Sequence, residues 1–235
     1  MPHNSKKAVF FDAAGTLFHP YPSVGDIYAS IAAKHGMKVE VQNVGKAFYE
    51  EHSKRERDNP LEASGGVEDE KRWWKELVEV IFSKLCGLND FDAFFEELFS
   101  YFTTAQAWRV YPDVRPTLEE LGNRNIVTGV IANWDSRLFS VCRNLDLEKY
   151  FQFIFASSVA GSAKPSAEIF NQAVRRSEIA LEQSIHVGDS VENDFKGARA
   201  AGMDVLIIDR KGTVDRKYAS VPTIRSLEEV LRFTE

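Results

Sequence analysis

The stretch Ala8–Phe18, AVFFDAAGTLF, decides the fold because it joins an apolar run to an acidic residue and a glycine turn. The run Ala8–Phe11 is typical of a strand buried on both faces of a parallel sheet. Asp12 follows directly, and Gly15 suits the tight turn that comes next. We therefore expect an α/β protein whose first strand carries an aspartate to one edge of the sheet.

Four further apolar runs predict the other strands, at Val127–Ala132, Phe153–Ala156, Ile185–Val187 and Val205–Ile208. Helical patterns separate them, at Arg115–Asn123, Ser136–Leu145, Ala167–Ser177 and Asn193–Gly202. Ser226 and Glu229 have the spacing of a capping box that opens a last helix. This alternation predicts right-handed βαβ units and a doubly wound, Rossmann-like parallel sheet with helices on both faces.

Residues 19–106 differ, because they show helical periodicity without strand-like runs. The predicted helices are Asp26–His35, Val44–Arg57, Glu68–Leu85 and Phe91–Phe102. We interpret this segment as an α-helical cap inserted after the first strand. Residues 1–18 and 107–235 would then form the α/β core.

Composition narrows the class of function. The net charge of −6 gives no basic face for nucleic acid, and no run of eighteen apolar residues predicts a membrane span. No secretory signal is expected at the N-terminus. Two cysteines, Cys86 and Cys142, are too few for a disulfide framework, so we expect buried free thiols and a cytoplasmic location. The expected partner is a small molecule.

Polar residues follow each predicted strand. After Asp12 at the first strand they are Asn133, Lys164, Asp189, Asn193 and Asp194. Ligands of an open α/β sheet bind beyond the carboxyl ends of its strands, so we expect these side chains to converge there. Trp134 would border the same pocket, whereas Asp135 is interpreted as the N-cap of the following helix.

These residue types suit phosphoryl chemistry. An aspartate such as Asp12 can attack phosphorus and form an acyl phosphate. Hard oxygen ligands hold Mg²⁺, which reduces the repulsion between an anionic nucleophile and an anionic substrate. Lys164 would place positive charge on the phosphoryl oxygens or hold the nucleophile. Thr16 would hydrogen-bond either the phosphate or the turn backbone.

The same residues resemble the motifs of the haloacid-dehalogenase-like hydrolases that carry an α-helical cap after the first strand. Asp12 and Thr16 match the first motif, Asp-x-Asp-x-Thr. Ala132 followed by Asn133 stands where the second motif has a strand ending in Ser or Thr. The last two motifs are matched by Lys164 with Pro165, and by Gly188, Asp189, Asn193 and Asp194.

The resemblance implies a set of roles. Asp12 would be the nucleophile, and Mg²⁺ would sit between Asp12, the backbone carbonyl of Ala14, and Asp189. Asn193 or Asp194 would steady Lys164 or a metal-bound water from behind. The implied substrate is a small phosphorylated metabolite.

Two positions depart from the family pattern. Phosphatases of the family carry a second aspartate two residues after the nucleophile, which protonates the leaving group and then activates water, and here that residue is Ala14. General acid–base catalysis is worth about 10²–10⁴ in rate. Ala132 lacks the hydroxyl that normally bonds the phosphoryl group. Metal binding would survive at Ala14, because the ligand there is a carbonyl.

Three functional hypotheses follow. The first is a slow or specialised Mg²⁺-dependent phosphatase, in which His19, a substrate group or water supplies the proton. The second is a catalytically impaired protein that retains the fold for binding or regulation. The third is carbon–phosphorus cleavage, for which members of the family with this alanine use a cap lysine, here Lys46 or Lys54. Dehalogenation is least favoured, because Mg²⁺-independent members lack the Gly188–Asp189 pair.

Overall fold

The computed structural model describes residues 6–61, 65–87 and 90–234. In chain order the strands are β1 (Ala8–Phe11), β2 (Phe18–Pro20), β3 (Trp108–Val110), β4 (Val127–Ala132), β5 (Phe153–Ala156), β6 (Ser184–Gly188), β7 (Asp204–Ile208) and β8 (Thr223–Ile224). The helices are α1 (Val24–Lys34), α2 (Val41–Asp58), α3 (Val67–Leu85), α4 (Phe91–Tyr101), α5 (Val114–Asn123), α6 (Arg137–Asn144), α7 (Ser157–Ala160), α8 (Ala167–Ser177) and α9 (Lys196–Ala201).

Six strands form one parallel sheet in the order β5-β4-β1-β6-β7-β8. Side chains alternate along β1: Val9 and Phe11 pack with α5 and α6, whereas Ala8 and Phe10 pack with α8 and α9. All four are fully buried, as expected for a strand covered on both faces. The predicted doubly wound α/β fold is therefore confirmed.

The strand order creates a crevice between β1 and β6. From β1 the chain moves to β4 and β5 on one side, and from β6 it moves to β7 and β8 on the other. Phe11 pairs with Val187, and the backbone N–H of Asp12 donates to the Val187 carbonyl at 2.9 Å. The residues that follow these two strands thus meet at the topological switch point, where doubly wound proteins bind ligands.

Helices α1 to α4, which we call the cap helices, lie between β2 and β3. They share a hydrophobic core of their own, centred on Leu77, Phe82 and Phe94. Strands β2 and β3 pair antiparallel where the chain leaves and re-enters the α/β part. The expected boundary after residue 18 falls inside β2, so the division into core and cap stays a prediction. Residues 1–5, 62–64, 88–89 and 235 of the predicted domains lie outside the described residues.

Some local expectations needed correction. The helix expected from Asn193 begins two residues earlier, as a π-helix over Val191–Phe195 that continues into α9. The capping box of Ser226 and Glu229 is present, but it opens a 3₁₀ helix, Leu227–Phe233. Cys142 is buried as expected, whereas the prediction for Cys86 was wrong, because it is exposed just after α3. Within the described ranges, no helix has the length and hydropathy needed to cross a membrane.

Candidate active site

A buried ion cluster joins the segments that follow β1, β5 and β6. The ammonium nitrogen of Lys164 donates to Asp12 Oδ1 and to Asp194 Oδ1, both at 2.6 Å. Only 2% of the Lys164 side chain is exposed. Because a buried ammonium is costly unless it is paired, both carboxylates are needed to hold it. Three of the residues predicted from sequence are therefore in one cluster, although Lys164 is separated along the chain from Asp12 by 152 positions and from Asp194 by 30.

Asn133 fixes the backbone that carries Lys164. Its Oδ1 accepts the Lys164 N–H at 2.7 Å, and its Nδ2 donates to the Lys164 carbonyl at 2.8 Å. The same Nδ2 lies 3.1 Å from Glu56 Oε1 on α2. Asn133 was expected to face a substrate, and the structure shows its amide occupied by the lysine loop and a cap helix. Its side chain thus positions the lysine loop against the sheet.

Asp194 is held from three sides. Besides Lys164, its Oδ1 accepts from His186 Nε2 at 2.8 Å, and its Oδ2 accepts the Ser190 N–H at 2.9 Å. His186 is fully buried on β6. Because these contacts fix the orientation of its carboxylate, Asp194 holds the Lys164 ammonium in position. Asn193 donates its backbone N–H to Ser190 Oγ, and its side chain has no hydrogen bond in the described part of the chain.

The turn after Asp12 brings a second carboxylate against the first motif. Gly15 has a φ of 87°, in the left-handed region that favours glycine. A Cβ atom at Gly15 would overlap the carboxylate of Asp189, so glycine is required for this approach. Thr16 is fully buried, and its Oγ1 has no hydrogen-bond partner among the described residues. Asp12 and Asp189 consequently flank one short turn.

Negative charge exceeds positive charge among the clustered residues Asp12, Asp189, Asp194 and Lys164. Burial and the negative charges of Asp12 and Asp194 together raise the pKa of Asp189 to about 8. Burial also raises the pKa of Asp12, against the opposing charge of Lys164. At Asp194 burial opposes ionisation, but the charge of Lys164 and the hydrogen bond from His186 hold its pKa below the usual range. Three carboxylates thus share one ammonium.

This imbalance fits a divalent cation. Asp189 is exposed on the cavity side, and in the described residues it has no ion-pair partner of its own. Two carboxylates and a backbone carbonyl are ligands that Mg²⁺ accepts, with waters completing its shell. No group of three or more His, Cys, Asp or Glu side chains among the described residues has the arrangement of a preformed metal centre. The predicted set of Asp12, the Ala14 carbonyl and Asp189 contributes only two such side chains.

A cavity of about 400 Å³ lies between the sheet edge and the cap helices, and we call it the aromatic cavity. Ala14, Gly15, Asn133, Trp134 and Asp189 line it from the sheet side. Rings line the opposite side, among them Phe48, Trp74, Phe99 and Phe102. Asp189 and the turn that follows Asp12 therefore border a partly open volume of the size of a small-molecule site.

His19 also lines the aromatic cavity. Its Nδ1 lies 3.0 Å from the Pro20 carbonyl, and its ring packs 4.8 Å from that of Tyr111. With a proton on Nδ1 it would donate to Pro20, which leaves Nε2 without that proton. Lys46 and Lys54 are exposed on α2, and neither lines the cavity.

Sequence reasoning missed two kinds of residue at this site. His186 is a buried residue of β6 whose Nε2 contacts Asp194 directly, a pairing that was not predicted from the sequence. A histidine inside a buried strand requires a polar partner, and that requirement is the signal that points to an acid nearby. The cap residues Glu56 and Trp74 approach the site through pairings that no local pattern shows.

Comparisons with known proteins agree with this architecture. A family model described as haloacid dehalogenase-like hydrolase matches residues 6–202. The chain is similar to haloacid dehalogenase-like hydrolase domain-containing protein 3 of Bos taurus, with 30% identity over 201 residues, covering 84% of this chain and 80% of that protein.

Solved structures are similar over nearly the whole chain. The HAD phosphatase from Thermococcus onnurineus has a TM-score of 0.68 and 25% identity, with 96% of each chain covered. The HAD-hydrolase YfnB from Bacillus subtilis, solved bound to magnesium, has a TM-score of 0.74 and 17% identity, covering 98% of this chain and 99% of that one. The second likeness concerns the fold alone.

Proposed function

Because the chain belongs to the haloacid dehalogenase-like hydrolase family, we propose that it is a slow or specialised Mg²⁺-dependent phosphatase acting through an aspartyl phosphate at Asp12. The observation that carries this proposal is the 2.6 Å contact between Lys164 Nζ and Asp12 Oδ1 at the end of β1. It orients a buried carboxylate and opposes the rise in its pKa that burial causes, beside the turn residues Ala14 and Gly15 that line the aromatic cavity.

The chemistry divides into two displacements. The free oxygen of Asp12 attacks phosphorus, and the bond from phosphorus to the ester oxygen breaks. The departing alkoxide takes its proton from water or from a group on the substrate, because Ala14 offers none. Water then attacks the acyl phosphate, releasing inorganic phosphate and restoring the carboxylate.

Lys164 acts in both displacements by keeping Asp12 in one orientation and by adding positive charge beside the phosphoryl oxygens. Asp194 and Asn133 position Lys164, one through its ammonium and the other through its backbone. Asp12 and Lys164 would therefore contact the substrate, whereas Asp194 and Asn133 would position Lys164.

Mg²⁺ would be held by Asp12, the Ala14 carbonyl and Asp189, and when bound it offsets the negative charge that gathers there during transfer. The raised pKa of Asp189 supports a cation at this place, since burial and two neighbouring carboxylates already disfavour its ionisation. That YfnB has been solved with magnesium is in keeping with the assignment.

A binding or regulatory role is the second candidate, and Ala14 is the specific observation that favours it. Loss of the acid–base residue is expected to slow turnover by about 10²–10⁴ while phosphate binding persists. Carbon–phosphorus cleavage has less support, because Lys46 and Lys54 are exposed and lie outside the aromatic cavity.

Phosphate release from a panel of phosphate esters, with Mg²⁺ and with EDTA, tests the proposal. Slow, Mg²⁺-dependent turnover is expected from the natural protein, with complete loss in Asp12→Asn. Ala14→Asp should raise turnover about 10²–10⁴-fold, and the matched control Ala14→Asn, which adds no acid, should not.

If the natural protein releases no phosphate while Ala14→Asp does, the binding role is correct. Turnover that survives in Asp12→Asn would exclude the aspartyl phosphate. Consumption of phosphonoacetaldehyde with borohydride trapping of Lys46 or Lys54 would instead establish carbon–phosphorus cleavage.

A further inference from the structure

We propose that the substrate is a phosphate monoester of an apolar, ring-bearing alcohol, preferred over sugar phosphates; this rests on the proposed phosphatase function. The inference comes from the wall of the aromatic cavity opposite Asp12. That wall is built mainly of rings from α2, α3, α4, the residue after α4, and β3: Phe48, Trp74, Phe99, Phe102 and Trp108. Trp134, in the loop after β4, adds a ring from the sheet side.

The rings hold one another in place before any ligand arrives. Trp108 packs against Trp134 at 5.2 Å and against Phe102 at 5.6 Å between ring centroids. Trp74 packs against His52 at 5.5 Å, nearly parallel to it. Tilted and edge-on contacts at these distances are favourable for aromatic pairs. A flat apolar group therefore meets a preformed surface, with little side-chain ordering left for binding.

The one arginine on the wall is already occupied. Arg137 donates to both carboxylate oxygens of buried Asp135, at 2.9 and 2.6 Å, and to the Phe99 carbonyl at 3.2 Å. Its guanidinium carbon also lies 3.9 Å from the centroid of the Phe99 ring. Three of its five N–H groups are committed to these bonds and Asp135 balances its charge, so Arg137 contributes mainly a flat surface to the wall.

Apolar atoms make up most of the cavity surface, although several polar side chains also line it. His52 stacks between Phe48 and Trp74, and its burial lowers its pKa, which keeps the ring neutral. Lys211 lines the cavity from the loop after β7, on the same side as Asp189, where a phosphate would bind. A polyhydroxylated ligand needs many partners, because each unpaired polar group that becomes buried costs affinity.

Three tyrosines, Tyr28, Tyr49 and Tyr111, line the cavity, and none of their hydroxyls has a hydrogen-bond partner in the described part of the chain. Tyr28 on α1 is buried. It can bond a single oxygen or nitrogen of the ligand, on the cap side and away from Asp12. The cavity volume of about 400 Å³ lies within the roughly 300–1,000 Å³ of small-molecule sites and holds more than a phosphate.

Binding to the wild-type protein tests this without requiring turnover. The probes are 1-naphthylmethylphosphonate, methylphosphonate and glucose 6-phosphate, with Mg²⁺ present, and the readout is emission from Trp74, Trp108 and Trp134 in the cavity wall. The naphthyl probe should quench the emission and bind at least about tenfold tighter than either other probe. Equal affinity for naphthyl and methyl probes, or tighter binding of glucose 6-phosphate, would overturn the proposal.

A matched pair of variants localises the binding. Val78 lines the cavity, whereas Val80, on the same helix, is exposed to solvent. Val78→Phe should weaken the naphthyl probe at least about tenfold, and Val80→Phe should leave it unchanged. Equal weakening by both variants, or by neither, would place the probe elsewhere and overturn the proposal.

Turnover of 1-naphthyl phosphate and glucose 6-phosphate separates the two proposals. If glucose 6-phosphate is hydrolysed faster and the naphthyl probe does not bind, the proposed phosphatase activity is supported and the proposed substrate class is wrong. If the naphthyl probe binds as expected but neither Asp12→Asn nor the natural protein hydrolyses either ester, the proposed phosphatase activity is wrong. The cavity would still bind ring-bearing phosphate compounds.

Discussion

A Cβ atom placed on Gly188 would lie well under 3.0 Å from the carboxylate of Asp194, so a side chain at Gly188 and the present position of Asp194 are mutually exclusive. Gly188 ends β6, and Asp194 turns back over it to reach Lys164. The glycine is thus part of the mechanism that positions the lysine, since it provides the space in which the buried carboxylate lies.

Gly188→Ala is therefore expected to destabilise the protein by about 1–3 kcal/mol, because the added methyl group must displace Asp194 from its contacts. Urea unfolding measures the change. Gly122→Ala is the control, since it lies in α5 with no atom within 4 Å of the new Cβ. That variant should gain about 0.5–1 kcal/mol. Similar stability of both variants would show that Asp194 can move freely.

The second prediction concerns the charge on Asp194. Asp194→Asn keeps the shape but removes one of the two negative partners of buried Lys164, and a buried charge left short of a partner costs about 3–5 kcal/mol. We expect a fall of this order in the free energy of unfolding at neutral pH. Glu192→Gln, which breaks the exposed pair with Lys196, should have no measurable effect. A loss no larger than that of Glu192→Gln would contradict the buried triad.

The sequence predicted β1, β4 and β5 to the residue, because the largely apolar composition of each segment is typical of a strand covered on both faces of the sheet. It did not predict β2 and β3, three residues each and paired across the whole cap segment. Nothing local marks such a pairing, and Pro20 counts against a strand.

At the candidate site the sequence predicted which residues converge, because parallel strands end at a common edge. It did not predict their partners. Asp135 was expected to be the N-cap of α6, but the structure gives that position to Ser136. Both Asp135 oxygens pair with the Arg137 guanidinium, Oδ1 also accepts the Arg137 N–H at 2.9 Å, and Oδ2 accepts from Trp74 Nε1 at 2.5 Å. The cap helix that brings Trp74 there lies sixty-one positions earlier in the chain.

The third prediction concerns Glu70, which links α3 to the sheet side. This buried carboxylate accepts from the Ser136 N–H at 3.1 Å, from the Ser136 hydroxyl, and from the Ser158 hydroxyl at 2.5 Å. Glu70→Gln would turn an amide NH₂ towards some of these donors. We expect a loss of about 1–3 kcal/mol and faster proteolysis in the cap helices.

Exposed Glu68, in the same first turn of α3, provides the control, because it shares the helix-terminal charge without the buried contacts. Glu68→Gln should leave proteolysis unchanged. Equal effects of the two substitutions would assign the loss to the helix dipole instead of to the contacts with Ser136 and Ser158.

The fourth prediction is a pH dependence at the end of α1. His35 Nδ1 lies 3.0 Å from Asp90 and Nε2 lies 2.9 Å from Glu97, and these hydrogen bonds raise the pKa of His35 above 6.5. A raised pKa means that the folded protein binds the proton more tightly than the unfolded chain. The stabilisation is therefore fully present below pH 6.5 and is lost as the pH rises through the folded pKa.

His35→Gln should accordingly lower the free energy of unfolding at about pH 5.5 and have a smaller effect at about pH 9, because the stabilisation declines as the pH rises through the folded pKa. Urea unfolding at the two pH values measures this. Glu97→Gln should reproduce the trend in part, because Glu97 supplies one of the two negative charges and also pairs with Lys34. An effect of His35→Gln that grows with pH would mean that the neutral ring is the stabilising form.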